Sequence, residues 1–470
     1  MRRALSGVVF LVLLALPIAV LAQVSQVHLG WSENNVYETM TVMWYSPMTS
    51  DQGQWVYYDL VPGGCPPQYE WELEGVPSQI APAGAVASFD GFYYRAKLEG
   101  LVPGQTYYFR VVDKASGEMT REWSFRTIGV SQQFVRFAFA GDSQRPFITV
   151  EDGEFGQLIN RPNAPANWPY MRDFLTEKAA SADPDFVLVL GDLVARGCNQ
   201  DQWDNWFNAW QDHAVADSCR MIPIVPVIGN HEMGGYPDID STYEWFMGLF
   251  AMPEPVAGMP CYALDFPNLH LTVLAASGGQ IKVQASLAAA EANAQVNWLE
   301  SDLSSAPAVA WKLVALHCNY LGCFKSCLGY ACDEYMFAWT KLFQTYSVDA
   351  VLMGHTHNYT RSWPILLPTA NPCIGGSLGY DLMGDSNEGI TYIVSGTWGG
   401  VTNPILSGGF CDVRDWIAAA ASHPAMGFAQ VEASQCHIQV EDTSGFSIDG
   451  FTLPYQTSSF TIPAYTEVIP

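Results

Sequence analysis

Six apolar runs in the second part of the chain end on the same few residue types, and no other feature constrains the fold as much. They are "VRFAFAGDSQR", "PDFVLVLGDLVARG", "MIPIVPVIGNHE", "NLHLTVLAAS", "AWKLVALHC" and "VDAVLMGHTH", and most finish in Gly, Asp, Asn or His. Short apolar runs bounded by turn residues read as buried strands. Between them, "WPYMRDFLTEKAA", "QDQWDNWFNAWQDH" and "AEANAQVNWLESDL" carry amphipathic helix faces. The alternation predicts an α/β domain, a central β-sandwich flanked by helices, whose strand ends deliver polar side chains to one crevice.

Those strand ends supply Asp142, Asp192, Asn230, His231, His317, His355 and His357. Carboxylate and amide oxygens mixed with imidazoles suit first-row divalent ions better than a thiolate site does. Seven such groups are too many for one tetrahedral ion but suit a pair sharing a bridging carboxylate. Two ions roughly 4 Å apart polarise a phosphoryl oxygen and deprotonate a shared water. Any one of these residues alone could equally be a cap or a turn. His355 and His357 stand two apart after Val351–Met353, and Gly354 between strand and ligands allows a close turn.

The rest of the chain frames this domain. Residues 1–22 read as a signal peptide: Arg2 and Arg3, an apolar run from Val8 to Leu16, and Val20-Leu21-Ala22 as the cleavage site. A secreted, periplasmic or extracellular location follows, with no membrane span after cleavage, because no later stretch is apolar for long enough. Residues 24–128 alternate apolar and aromatic residues at strand spacing and predict an all-β sandwich. Its "LVPGQTYYFRV" resembles the turn of fibronectin-type-III-like domains, with the aromatics as core and turn anchors or, alternatively, a sugar platform. Residues 129–133 form a linker, 134–430 the α/β domain, and 431–470 a terminal hairpin and tail packed on it, with Gly445 near the turn. Eleven cysteines in an exported chain predict disulfides. Four of them, Cys318, Cys323, Cys327 and Cys332, crowd one loop, where disulfides or a separate metal would both fit. A net charge of −26 disfavours nucleic-acid partners; no oligomeric partner is legible.

"GDSQ", "GDLVARG", "GNHE", "ALHC" and "GHTH" resemble the ordered motifs of calcineurin-like metallophosphoesterases. "GHTHNYTRSWPI", "YIVSGTWGG" and the early "QVHLGWS...TMTVMWYS" resemble the purple acid phosphatase branch. The resemblance implies that Asp142 and His357 serve metal A, that Asp192 bridges, and that Asn230, His317 and His355 hold metal B. It places His231 against the substrate phosphate. Two divalent ions, Fe, Zn or Mn, would be the cofactors. The implied activity is phosphomonoester hydrolysis by a metal-activated hydroxide, on phosphorylated small molecules or phosphoproteins. A phosphodiesterase or nucleotidase is the alternative within the class. A non-catalytic extracellular binding protein on a degraded phosphatase fold is the alternative outside it.

The sequence departs from the purple branch where that branch has Gly-Asp-x-x-Tyr: here Ala195 stands in the tyrosine's place, so a ferric-tyrosinate centre is not expected. Gln144 stands where the broader family often has histidine, and its carbonyl oxygen could reach metal A directly, through water, or only by hydrogen bonding around it. Past His317, histidines of the plant enzymes give way to the cysteine loop with Asp333 and Glu334, as acids or as caps. Arg145 and Arg196 beside the first two motifs could meet phosphate oxygens or form structural salt bridges.

Overall fold

The computed structural model describes residues 24–47, 53–78, 80, 90–144, 168–216, 219–233, 243–275, 285–307, 311–319, 334–366, 381–382, 389–399, 402 and 417–453. The expected signal segment, Arg145, Asp333 and Cys323, Cys327 and Cys332 lie outside the described residues.

Alternation at the strand period builds the first region. Its strands are β1 (Ser25–Gly30), β2 (Met40–Ser46), β3 (Gln54–Asp59), β4 (Trp71–Glu74), β5 (Val76–Ser78), β6 (Phe92–Leu98), β7 (Thr106–Asp113), β8 (Glu118–Met119) and β9 (Trp123–Arg126). One antiparallel sheet runs β1-β2-β6-β5, and the other runs β4-β3-β7-β8 with β9 against β7. Val42 and Trp44 of β2, Tyr94 and Ala96 of β6, and Phe109 and Val111 of β7 are each two apart, and all enter one core. The predicted turn is closed by Tyr107, whose hydroxyl accepts the Val102 N–H at 2.9 Å. Gly104 within it has φ +71°, which a side chain would strain. Tyr107 is therefore a buried anchor.

The second region holds two sheets face to face. The first contains β10 (Phe134–Ala140), β11 (Phe186–Val189), β12 (Ile224–Pro226), β22 (Ala425–Glu432), β23 (Cys436–Asp442) and β24 (Ser447–Leu453), in the order β12-β11-β10-β22-β23-β24. The second contains β13 (Tyr262–Phe266), β14 (Leu269–Val273), β15 (Trp311–Leu316), β16 (Ala350–Met353), β17 (Tyr359–Ser362), β20 (Thr391–Ser395) and β21 (Ile417–Ala421), ordered β13-β14-β15-β16-β20-β17-β21. A ribbon of β18 (Ile365–Leu366) and β19 (Asp381–Leu382) stands apart. Helices α1 (Trp168–Ser181), α2 (Gln200–His213), α3 (Glu244–Leu249), α4 (Ala285–Ser305) and α5 (Glu334–Thr345) complete it.

The inner strands β14, β15, β16 and β20 are mutually parallel, so both of their faces need cover. Trp311, Leu313 and Ala315 of β15 and Ala350 and Leu352 of β16 join the core between the sheets. Their alternates Val314, Leu316, Val351 and Met353 join Leu299 and Leu303 of α4 and Trp339 and Phe343 of α5. Helix α2 is set by its own sequence. Asn199 caps it by accepting the Gln202 N–H, and Trp203, Trp206, Phe207 and Trp210 bury one face.

The C-terminal hairpin is present, with Gly445 at φ +82° between β23 and β24. It continues a sheet rather than adding to one. The division between 430 and 431 falls inside β22, which pairs antiparallel with β10 from Phe134↔Glu432 to Phe139↔Gly427.

The two regions share buried contacts. The ring of Trp31 meets Phe266 edge-on at 5.6 Å, and Phe186 stacks on Phe266 at 4.5 Å. His28 stacks on Phe207 of α2 at 4.3 Å and is fully buried, which lowers its pKa to about 4. Arg95 donates to the carbonyls of Met247 and Phe250 at the end of α3.

Candidate metal centre

Strands β10, β11, β15 and β16 all end at one edge, and the residues just past each end carry the polar groups. Asp142, Asp192 and His355 adopt φ of +63°, +54° and +68°. Non-glycine residues pay roughly 1–3 kcal/mol for that conformation, and such strain concentrates at functional sites. The glycines beside them make room. A Cβ on Gly191 would lie 2.7 Å from His317 Nδ1, and one on Gly229 would lie 2.3 Å from the Asp192 amide nitrogen.

Asp192, His317 and His355 each offer a ligand atom, and these atoms lie within 4.8 Å of one another. His317 Nε2 is 3.2 Å from Asp192 Oδ1 and 3.2 Å from Asn230 Oδ1. His355 Nδ1 is 2.9 Å from the same Asn230 oxygen. The Nδ1–H of His317 donates to the Leu190 carbonyl at 2.7 Å, which turns Nε2 toward the cluster. Next to this group, His357 Nε2 lies 3.3 Å from Asp142 Oδ1 and 3.4 Å from Gln144 Nε2. Gln144 Nε2 is also 3.4 Å from Asp192 Oδ2. Asp192 thus presents one oxygen to each group of residues.

The donor set fits a cation. Asp142 Oδ2 accepts the His355 N–H at 2.8 Å, but the buried Asp142 Oδ1 has no hydrogen-bond partner, and neither has Gln144 Oε1. Buried acceptors left unsatisfied are costly unless a positive charge meets them, and of these two it is Asp142 Oδ1 that lies against an imidazole, that of His357. Electrostatics agrees. Burial opposes charge on His317, yet Asp192 overrides it and raises the pKa to about 10. Burial likewise opposes charge on Asp192, but His317 and His231 hold it well below the usual carboxylate range. His355 goes the other way, lowered to about 4 by burial and by His317.

His231 lies at the rim. Its backbone N–H donates to Asp192 Oδ1 at 2.9 Å and its Nδ1 pairs with the Ala195 carbonyl at 2.7 Å. Its Nε2 is 3.8 Å from Asp192 Oδ2. The Ala195 side chain is buried and brings no oxygen to the cluster. Arg196, next in sequence, has a buried Nε without a hydrogen-bond partner and no acidic partner among the described residues. Cys318, beside His317, is in a disulfide.

One residue escaped the sequence reading. Glu232 ends "GNHE" and is buried, and its carboxylate collects four backbone N–H groups. Oε2 accepts from Asp192 and Gly229 at 2.7 Å each; Oε1 accepts from Leu193 at 2.7 Å and Val194 at 3.3 Å. It ties the Asp192 loop to the Asn230 loop. Burial and Asp192 raise its pKa to about 7. The signal available in sequence was an acidic residue directly after a ligand pair, too common to stand out. The "SGTWGG" segment backs the site from the other side: Gly141 N–H donates to the Ser395 carbonyl at 2.8 Å, and Trp398 N–H donates to the Gly141 carbonyl at 3.0 Å.

Residues 135–359 match the family described as calcineurin-like phosphoesterase, and residues 24–127 match the purple acid phosphatase N-terminal domain. Purple acid phosphatase 23 of Arabidopsis thaliana is 23% identical over 318 residues, covering 63% of this chain and 63% of that protein. Purple acid phosphatase 15 of the same plant is 23% identical over 317 residues, covering 63% and 54%. The chain therefore spans less than two thirds of the length of these relatives. It is similar in fold to purple acid phosphatase PPD1 from yellow lupin (Lupinus luteus) seeds, with a TM-score of 0.64 and 18% identity over 92% of this chain and 74% of that one. With both of its regions matched and its polar strand ends gathered at one edge, the chain carries a calcineurin-like metallophosphoesterase domain preceded by a purple-acid-phosphatase-type N-terminal domain.

Proposed function

We propose that this protein is an exported phosphomonoester hydrolase working with two divalent metal ions, Fe, Zn or Mn. The observation that carries the reading is the split of Asp192 between two donor groups. On one side stand His317, His355 and Asn230; on the other, Asp142, His357 and Gln144. When bound, such ions polarise a phosphoryl oxygen and lower the pKa of a water held between them.

The chain's own residues do the rest. Asp192 orients both halves of the site and supplies shared negative charge. Gln144 can contribute only a neutral oxygen to metal A, once its amide is turned so that Oε1 faces the cluster. His231 keeps Nδ1 engaged with the Ala195 carbonyl, so Nε2 is the atom that meets a phosphoryl oxygen or gives a proton to the leaving alkoxide. The guanidinium of Arg196, whose Nε has no hydrogen-bond partner among the described residues, complements the charge of a phosphate monoester, which carries more negative charge than a diester.

The test is a turnover screen on protein supplied with Mn, Zn or Fe, using monoesters, diesters and nucleotides side by side. Monoester turnover well above diester turnover is expected, narrowed by Arg196→Ala. A preference for diesters would replace the monoester reading, and inactivity on every ester with metal bound would replace the enzymatic one.

A further inference from the structure

Asn199-Gln200-Asp201-Gln202 opens α2 with the residues of a capping box. In such a box the first side chain accepts an N–H of the first turn, and the last side chain returns to the N–H of the capping residue. Half of that exchange is present: the Gln202 N–H donates to Asn199 Oδ1 at 3.0 Å. The return is diverted. The Asn199 N–H goes to the Arg196 carbonyl at 3.1 Å, and Gln202 Oε1 reaches past it to accept the N–H groups of Ala195 and Arg196 at 2.9 and 3.0 Å. One side-chain oxygen of the helix thereby holds two consecutive amides of the loop that follows Asp192.

That loop faces His231. The Ala195 carbonyl lies 2.7 Å from His231 Nδ1 and can only accept, so the proton sits on Nδ1 and Nε2 is left for the site. The same carbonyl and the Arg196 N–H belong to one peptide group, which is a rigid plane. An acceptor that fixes the N–H therefore fixes the direction of the C=O. Neighbouring contacts hold the loops together. The Gly197 N–H donates to the His231 carbonyl at 2.8 Å, and a Cβ on Gly197 would overlap the Glu232 carbonyl. Trp203 Nε1, one residue further along α2, donates to the Gly197 carbonyl at 2.7 Å.

We propose that Gln202 is a positioning residue for His231. Through the peptide between Ala195 and Arg196 it aims the carbonyl that selects the Nδ1–H form of the imidazole and turns Nε2 toward the phosphoryl group. Helix α2 is the rigid reference, since Trp203, Trp206, Phe207 and Trp210 bury its other face. The proposal rests on the phosphate-facing role given to His231 above.

The test reads turnover and the tautomer itself, in protein supplied with zinc and carrying isotope-labelled histidine nitrogens. Gln202→Leu removes the acceptor and keeps a strong helix former. Gln202→Ala does the same should leucine crowd the loop, and Gln202→Glu keeps an accepting oxygen. Gln202→Leu should lower kcat by roughly 10–100-fold with bound metal unchanged, and Gln202→Glu should restore most of it. In a His231→Ala background the same change should cost less than about twofold, because the two residues act in one chain of contacts. The nitrogen spectrum, with His231 identified by its absence from His231→Ala, should show Nδ1–H in the native and Gln202→Glu proteins and mixed tautomers in Gln202→Leu. An undisturbed Nδ1–H signal in Gln202→Leu, an equal loss of turnover in both backgrounds, or a parallel loss of bound metal would overturn the positioning role alone. Full turnover in His231→Ala would remove the role of His231 and this proposal with it.

Discussion

Asp192 sits at a strained φ of +54° with its amide N–H anchored on Glu232, so that its carboxylate faces both donor groups at once. Asp192→Ala removes one shared charge from both halves. The expected result is loss of bound metal together with loss of turnover; full metal content with full turnover would remove the bridging role. Glu232→Gln keeps the shape but turns an N–H-donating group toward backbone donors. Each donor left unmet costs about 1–3 kcal/mol, and losing an orienting partner typically costs about 10–100-fold in metal affinity. Metal titration of a folded Glu232→Gln protein checks this, and unchanged affinity would mean that Glu232 only stabilises. Ala195 has its own consequence. No tyrosinate-to-iron absorption is expected in protein purified without reductant, and a strong visible band abolished by mutating some other tyrosine would show a replacement ligand. The seven polar strand-end residues were legible because each follows an apolar run. Glu232 was not, because a carboxylate that serves backbone amides leaves no spacing pattern.

Strands β10, β11, β12, β14, β15 and β16 could be read from their apolar runs, since parallel strands covered on both faces leave uninterrupted hydrophobic sequence. Strands β21 and β22 could not: "IAAAA" and "AMGFAQVE" are poor in branched residues, and β22 earns its place only by pairing with β10, almost three hundred residues away. Long-range pairing of that kind has no local signature. Strand β14 carries a different device. Its buried His270 bridges Asp265 of β13 at 2.7 Å and Asp302 of α4 at 3.1 Å, while Asn34 of the N-terminal domain donates to Asp265. Burial opposes the charge, but Asp265 and Asp302 raise the His270 pKa to about 9. The folded pKa lies above the unfolded value of about 6.5, so the stabilisation is complete below that pH and is lost as pH rises through about 9. It should amount to roughly 3 kcal/mol. Urea unfolding between pH 6 and 9.5 should show that loss in the native chain and a flatter profile in His270→Gln. Parallel profiles would assign the alkaline loss elsewhere.

Across the described residues the N-terminal sandwich is packed against the α/β region through Trp31, His28 and Arg95, and this joint was invisible in sequence. Each of these residues reads locally as a strand residue of its own sheet, and a buried interface between two regions obeys the same alternation as a core. The scarcity of Lys and Arg, 21 against 47 acids, was legible and leaves the metal centre as a place where negative groups have to be neutralised locally. The dependence of catalysis on a pair of ions can be measured directly by adding metal in steps to metal-free protein while following monoester turnover and bound metal in the same sample. Turnover should rise to its plateau only as the second equivalent binds, and Asp192→Ala should abolish both uptake and rise. Full turnover at one equivalent, or two equivalents bound with none, would contradict a two-ion phosphoesterase centre built on Asp192.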